Sequence, residues 1–296
     1  MMNRSLRSRL LLSVTVALSA AIAPPAFAQL EPTGEPPAAK GWRAETVAEG
    51  VPQPWGIAWL PDGRPLVTSK DGALYILNGK QFDKVPLEGL PPVYTSGQGG
   101  LLDIALHPGD KVNPRVYMTM STGTSSDNRT ILVQGVFDGK RVHGIKTLFR
   151  VEPGKSGGQH FGSRLLWLPD GTLLMSIGDG GNPPQRVGDM LARDQAQNLG
   201  SDNGSILRLT DEGKPAPGNP LAGRPGARPE IWTYGHRNIQ GLARDPVSGR
   251  VWASEQGPRG GDDLNLSAGG PNYGWPLQSY GADYRTGEPV GQRTVA

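Results

Sequence analysis

The feature that most restricts the fold is a phrase that returns four times: apolar strand, tight turn, apolar strand. Trp55-Gly56-Ile57-Ala58-Trp59-Leu60 runs into Pro61-Asp62-Gly63, and Pro65-Leu66-Val67-Thr68 follows. Asp71-Gly72 then turns the chain into Ala73-Leu74-Tyr75-Ile76-Leu77. The phrase comes back from Leu101 to Leu106, with His107-Pro108 at the turn and Arg115 to Met120 after it. A third copy joins Arg164 to Leu168 with Thr172 to Ile177 through Pro169-Asp170-Gly171, and a fourth joins Gln240 to Ala243 with Arg250 to Ala253. Proline presets φ for such turns, and glycine accepts the positive φ that follows. Apolar runs this short, with turns this dense and no helical period, predict an all-β fold. Recurrence of the hairpin at long, uneven intervals predicts a β-propeller, with one multi-stranded sheet per blade. A β-sandwich would account for the hairpins but not for their recurrence. The 43 glycines and 28 prolines suit the same architecture.

The first 28 residues read as a separate object. Arg4, Arg7 and Arg9 form a basic start, Leu10 to Ile22 is apolar, and Ala26-Phe27-Ala28 is an A-x-A cleavage signal. That pattern predicts a secretory leader at 1–28 cleaved near Ala28, and a periplasmic or secreted protein. The apolar run is too short for a stable membrane anchor. Residues 29–41 are rich in Pro, Glu and Gly and read as a flexible tail, with the propeller at 42–296. Three of the 30 Lys and Arg lie in the leader, so the remainder balances the 27 Asp and Glu. A near-neutral chain gives no nucleic-acid footprint. The absence of cysteine excludes disulfides, a thiol nucleophile and thiolate metal sites.

Four stretches could carry chemistry. Gly157-Gly158-Gln159-His160-Phe161-Gly162 holds a histidine between glycines, so backbone can approach a flat ligand closely. His160 suits proton abstraction from an alcohol, or else hydrogen-bonds a neighbouring loop as a structural residue. Tyr234-Gly235-His236-Arg237-Asn238 offers a permanently charged fork at Arg237 and a carboxamide at Asn238. Like His160 they precede an apolar strand, which puts them on the same rim; the alternative is an arginine packed between blades against a carboxylate. Glu255-Gln256-Gly257-Pro258-Arg259-Gly260-Gly261-Asp262-Asp263 combines turn carbonyls with paired carboxylates, a donor set for a hard cation such as Ca²⁺ or an ordinary polar turn. Ser96-Gly97-Gln98-Gly99-Gly100 presents Gln98 between glycines. Two long excursions, Gly178 to Asn198 and Asp211 to Pro229, have no period of their own and are of the kind that carries sites.

The phrases GQGGLLDIALHP, GGQHFGSRL, YGHRNIQGLA, EQGPRGGDDLN and NYGWP, in this order, resemble the glucose/sorbosone dehydrogenase family of soluble quinoproteins, most closely its periplasmic aldose sugar dehydrogenases. The likeness runs from about Val51 to Trp275. It implies a six-bladed propeller that binds pyrroloquinoline quinone (PQQ) and Ca²⁺ and oxidises aldoses to lactones, passing electrons to an unidentified acceptor. On that resemblance His160 is the general base and Arg237 stabilises charge on the quinone oxygen. Gln98 and Asn238 contact the cofactor, and the carbonyls of Gly257 and Pro258 bind the Ca²⁺ beside it. Asp263 and the carbonyl of Tyr273 form a second, structural Ca²⁺ site. Gln159 stands where the glucose-specific branch has an acidic residue, which implies a broader aldose range. Family members continue past the point matching Ala296, so the resemblance also implies an incomplete ring and doubtful activity for these residues alone. Other readings of the same propeller are a Ca²⁺-dependent lactonase-like hydrolase, which needs several side-chain carboxylates on the metal, and a non-catalytic sugar- or protein-binding module.

Overall fold

The computed structural model describes residues 40–291. The expected leader and most of the expected tail lie outside them. Met1–Glu45 and Thr46–Ala296 are separate units. Of the first, residues 40–45 are described: they hold no strand and are exposed.

The second unit is all-β and builds four propeller blades. Blade 1 is β1 (Pro54–Trp59), β2 (Pro65–Ser69), β3 (Ala73–Asn78) and β4 (Gln81–Val85), antiparallel in that order. Blade 2 repeats the plan with β5 (Leu101–Leu106), β6 (Arg115–Gly123), β7 (Asn128–Phe137) and β8 (Val142–Arg150). Blade 3 starts with β9 (Leu165–Trp167) and β10 (Leu173–Ile177). A small hairpin, β11 (Arg186–Val187) with β12 (Met190–Leu191), and a 3₁₀ helix at Ala192–Gln197 are then inserted before β13 (Ser205–Leu209) and β14 (Ile231–Tyr234) complete the sheet. Blade 4 is β15 (Ile239–Arg244), β16 (Val251–Glu255) and β17 (Asp263–Ser267). The recurring phrases are the two inner strands of each blade. Of the six blades implied by the resemblance, the described residues show these four.

The turns form as their residues dictate. In Pro61-Asp62-Gly63 the Gly63 amide donates to Leu60 O at 2.9 Å and Asp62 Oδ1 accepts from Arg64 N at 3.0 Å. Pro169-Asp170-Gly171 repeats this, Gly171 N to Leu168 O and Thr172 N to Asp170 Oδ1, both at 3.0 Å. Gly63 (φ +88°) and Gly171 (φ +79°) occupy the left-handed region that other residues enter only with strain.

Period-2 alternation gives each central strand two apolar faces. Met118 of β6 packs toward blade 1 with Leu66 and Leu74, whereas its neighbour Tyr117 packs toward blade 3 with Leu173 and Met175. Leu174 of β10 faces Ile239, Val251 and Ala253 of blade 4. Each such buried side chain is worth roughly 1.5–3 kcal/mol, so the blade–blade cores dominate the stability. The outer faces of the first and fourth blades are also apolar, with Ile57 and Trp59 exposed on one and Trp252, Leu264 and Leu266 on the other.

One hydroxyl per junction adds direction. The amides of Gly56, Asp103 and Arg164 donate to the hydroxyls of Thr68, Thr119 and Ser176 at 2.9, 2.9 and 3.0 Å. Those hydroxyls in turn donate to carbonyls of the next blade: Leu102, Ser163 and Ile239. In β1 and β5 the ladder slips at this point, and the hydroxyl accepts from the amide that the bulge releases. Arg164 adds a clasp at the inner strands. It binds Asp103 Oδ1 at 3.0 Å and Gln240 O at 2.6 Å, and its guanidinium lies 4.4 Å from the centre of the Trp55 ring.

Candidate active site

The loops that lead into the inner strands of blades 2, 3 and 4 meet around one cleft. Its volume is about 590 Å³, within the range of small-molecule sites. Gln98, Gln159, His160, Asn182, Arg237, Gln256, Gly257, Asp262 and Tyr284 line it. Gln98, His160, Arg237 and Gly257, all singled out in the sequence, are therefore brought together. Asn238, Pro258, Asp263 and Tyr273 do not line the cleft.

The His160 loop is held by the Gln98 loop. Gln98 N donates to Gly158 O, and His160 N donates to Gln98 Oε1, both at 2.7 Å. A Cβ on Gly97 would stand 2.3 Å from Gly158 O, so glycine alone permits this approach. His160 itself has φ +51°, a conformation that costs a non-glycine residue roughly 1–3 kcal/mol. Packing and hydrogen bonds hold it there.

Asp179, in the loop after β10, completes the arrangement. Its Oδ1 lies 2.6 Å from His160 Nδ1 and accepts from Gly181 N at 2.9 Å, while Oδ2 accepts from Trp275 Nε1 at 2.7 Å. The carboxyl is fully buried. Burial pushes it up, but the charges of His160 and Arg237 and the hydrogen bonds outweigh burial and hold it below the usual carboxylate range. An ionised Asp179 only accepts, so His160 Nδ1 carries the proton and Nε2 keeps its lone pair for the cleft. Behind the pair, Lys155 is buried under the Phe161 ring, 3.8 Å from its centre, with Nζ 3.1 Å from Asn128 Oδ1. Burial pushes its ammonium down to about 7, against the pull of Asp179.

Arg237 is fixed by neutral groups rather than by a carboxylate partner. Nη1 donates to Gln256 O at 2.8 Å and Nη2 to Asn182 Oδ1 at 2.9 Å, while Nε is buried without a partner among the described residues. Its backbone amide donates to Glu255 Oε1. The adjacent His236 has both ring nitrogens committed, Nδ1 to Glu255 Oε2 at 2.9 Å and Nε2 to Thr233 Oγ1 at 2.7 Å. His236 is therefore structural, whereas His160 keeps one nitrogen without a partner among the described residues. Asn238 braces the wall from behind: Oδ1 accepts from Gly162 N and Nδ2 donates to Gln256 Oε1, both at 3.0 Å.

The turn at Gly257 and Pro258 offers oxygens. Among the described residues no hydrogen bond ends on the carbonyl of either residue. Asp263 is exposed at the start of β17 opposite Glu255, and desolvation, then the charges of Glu255 and Asp262, push its carboxyl up. Tyr273 stacks on His236 at 4.6 Å and its hydroxyl donates to Leu266 O at 2.9 Å. Among the described residues no three His, Cys, Asp or Glu side chains converge as a side-chain metal cage requires.

Sequence reasoning missed Asp179, Gln256, Asn182 and Trp275 as parts of the site. The excursion from Gly178 is of the kind that carries sites, but an Asp between glycines reads first as turn chemistry.

The sequence profile of the Glucose / Sorbosone dehydrogenase family matches residues 51–296. The chain belongs to that family. An uncharacterised protein of Synechocystis is 50% identical over 260 residues, covering 85% of this chain and 63% of its own length. Aldose sugar dehydrogenase YliI of Escherichia coli is 37% identical over 244 residues, covering 81% of this chain and 63% of its own. The chain thus spans less than two thirds of the length of both curated relatives. The PQQ-bound aldose sugar dehydrogenase of Streptomyces coelicolor superposes with a TM-score of 0.65 at 36% identity, over 85% of this chain and 70% of that one. The all-β propeller expected from the recurring hairpins is thereby shared with solved family structures.

Proposed function

We propose that this member of the glucose/sorbosone dehydrogenase family forms the cofactor and substrate cleft of a PQQ- and Ca²⁺-dependent aldose dehydrogenase, acting outside the cytoplasm. The observation that carries the reading is the meeting of a carboxylate-backed imidazole, His160 with Asp179, and the Arg237 guanidinium in one cleft. The names of the E. coli and S. coelicolor relatives support sugar oxidation and PQQ.

The residues present suit both groups. The Nε of Arg237, without a partner among the described residues, and the polar, glycine-edged walls suit an anionic, planar cofactor. The carbonyls of Gly257 and Pro258, which accept no hydrogen bond among the described residues, suit a hard, oxygen-seeking cation. When bound, PQQ supplies a quinone carbonyl as hydride acceptor, and Ca²⁺ supplies Lewis-acid polarisation of it.

The protein's part is binding, orientation and proton movement. His160 Nε2 takes the proton from the anomeric hydroxyl of the aldose as the C1–H hydride leaves, and the sugar becomes a lactone. Asp179 holds the imidazole by Nδ1 and stabilises the imidazolium so formed. Arg237 places fixed positive charge where negative charge develops, and Asn182 and the Gln256 carbonyl keep it aimed. Gln98 fixes the His160 backbone through Oε1 and keeps Nε2 for the cofactor. Asn238 acts on the cofactor site indirectly, through Gly162 and Gln256. Asp263 with the Tyr273 carbonyl forms the second Ca²⁺ site; relief of the repulsion among Asp263, Glu255 and Asp262 supports it. Gln159 gives a neutral wall, in keeping with a broad aldose range.

The test is reconstitution. Purified apoprotein receives PQQ and Ca²⁺, and dye reduction is followed with a panel of aldoses. Turnover that needs both additions and is lost in His160→Ala supports the reading. Turnover indifferent to PQQ, or the absence of turnover despite tight PQQ binding, overturns it.

A further inference from the structure

The indole of Trp275 reaches both Asp179, which holds the base, and the cation of the cleft. It comes from the segment after β17, which also brings Tyr284 to the cleft. Its ring is 5% exposed and packs with Ala196 and Val290. Its backbone is fixed at both ends: Trp275 N donates to Gly235 O at 2.9 Å, and Trp275 O accepts from Gln197 Nε2 at 2.6 Å. From this anchor Nε1 reaches Asp179 Oδ2 at 2.7 Å, and the ring lies 5.5 Å from the Arg237 guanidinium.

We propose that Trp275 is the positioning residue of the His160–Asp179 pair. The inference rests on the functional reading above only for its kinetic arm. Indole N–H is donor only, so it fixes Oδ2 as an acceptor and leaves Oδ1 for His160. Without that donor, Oδ2 is a buried acceptor with no other partner among the described residues, and rotation of the carboxylate about its broad χ2 well becomes the route to a new one. The imidazole then loses its fixed orientation toward the cleft. The charged or titratable groups facing Asp179 are His160 and Lys155, both from the loop between β8 and β9, and Arg237, from the loop between β14 and β15; among the described residues none of them hydrogen-bonds Oδ2.

The sign of the pH effect follows. The indole hydrogen bond stabilises the anionic form of the pair. Its removal makes the pair hold a proton more tightly, so the base is free only at higher pH.

The test compares the wild-type protein, Trp275→Phe, and a variant carrying β-(3-benzothienyl)alanine at position 275, which keeps the ring shape and removes only the N–H. The first readout needs no cofactor. In the apoprotein labelled with ¹⁵N-histidine, the Nδ1–H proton of His160 is identified by its loss in His160→Gln. Expected in both variants is an upfield move and faster exchange of that proton. The second readout is the pH–rate profile of the reconstituted enzyme. Expected are an acid limb moved up by about one pH unit, a kcat lowered about tenfold at neutral pH, and KM nearly unchanged. A purely packing role would lower the melting temperature and leave the resonance in place. An unmoved Nδ1–H resonance in the benzothienyl variant overturns the inference whatever the rates do. If wild-type protein shows no PQQ-dependent turnover, the functional reading fails, and the resonance still decides the role of Trp275. If Trp275→Phe does not fold, the benzothienyl variant carries both readouts.

Discussion

His160 Nδ1 and Asp179 Oδ1 lie 2.6 Å apart in a fully buried pair, the histidine from the loop before β9 and the aspartate from the loop after β10. Both loops belong to blade 3, so the pair is assembled by one hairpin. A general base contributes roughly 10²–10⁴-fold to rate. His160→Ala is therefore expected to lower kcat by about that factor while PQQ affinity, read by fluorescence titration, changes little. Asp179→Asn keeps the shape but replaces the anion, and kcat should fall by roughly 10²-fold. Undiminished turnover in either variant would remove the pair from the chemistry.

Arg237 is aimed through two separate nitrogens, at Gln256 O and at Asn182 Oδ1. Lysine retains the charge but not the fork. Arg237→Lys should lower kcat by roughly 10²-fold, with a smaller effect on KM, because the lost interaction acts on developing charge. Steady-state kinetics at saturating PQQ would show it, and a change confined to KM would argue that Arg237 only binds.

Lys155 gives a pH signature to stability. Its ordinary value is 10.5, and burial brings the folded value to about 7. Between those pH values the unfolded chain binds more protons than the folded one, so this residue's contribution grows more favourable as pH rises through the window. Urea midpoints of wild type and Lys155→Met at pH 6.5, 8 and 9.5 should show the wild type gaining on the variant. A pH-independent gap would mean that the amine does not titrate in this range.

Thr119 links blades 2 and 3 by accepting from Asp103 N and donating to Ser163 O. Valine has nearly the same shape and leaves both groups buried without a partner. Thr119→Val should cost about 2 kcal/mol, or about 4–8 °C in Tm, and Thr119→Ser much less. Equal melting temperatures for the two variants would show that shape alone joins the blades.

The inner hairpins were legible because apolar runs meeting at Pro-Asp-Gly turns have few other solutions. The outer strands were not. β4, with Gln81, Asp83 and Lys84, and β8, with His143, Lys146 and Arg150, are largely exposed and carry no apolar period. Their place is set by pairing with β3 and β7, which local sequence does not encode. In the site, His160 and Arg237 announced themselves through flanking glycines and a shared position before a strand. Asp179 and Trp275 did not, because their roles arise from contacts across 19 and 96 residues of chain. Asn238 was noticed for the right loop, but its carboxamide faces Gly162 and Gln256 rather than the cleft.

The hydroxyl relay has a consequence for how such chains can vary in length. Thr68, Thr119 and Ser176 reach their neighbours only because alternation points them that way. One residue added to or lost from β2, β6 or β10 would turn the hydroxyl to the opposite side and strand two buried groups. Insertions are thus tolerated where no rung is crossed, as in the excursion between β13 and β14, and the spacing inside each second strand is the least negotiable dimension of the ring.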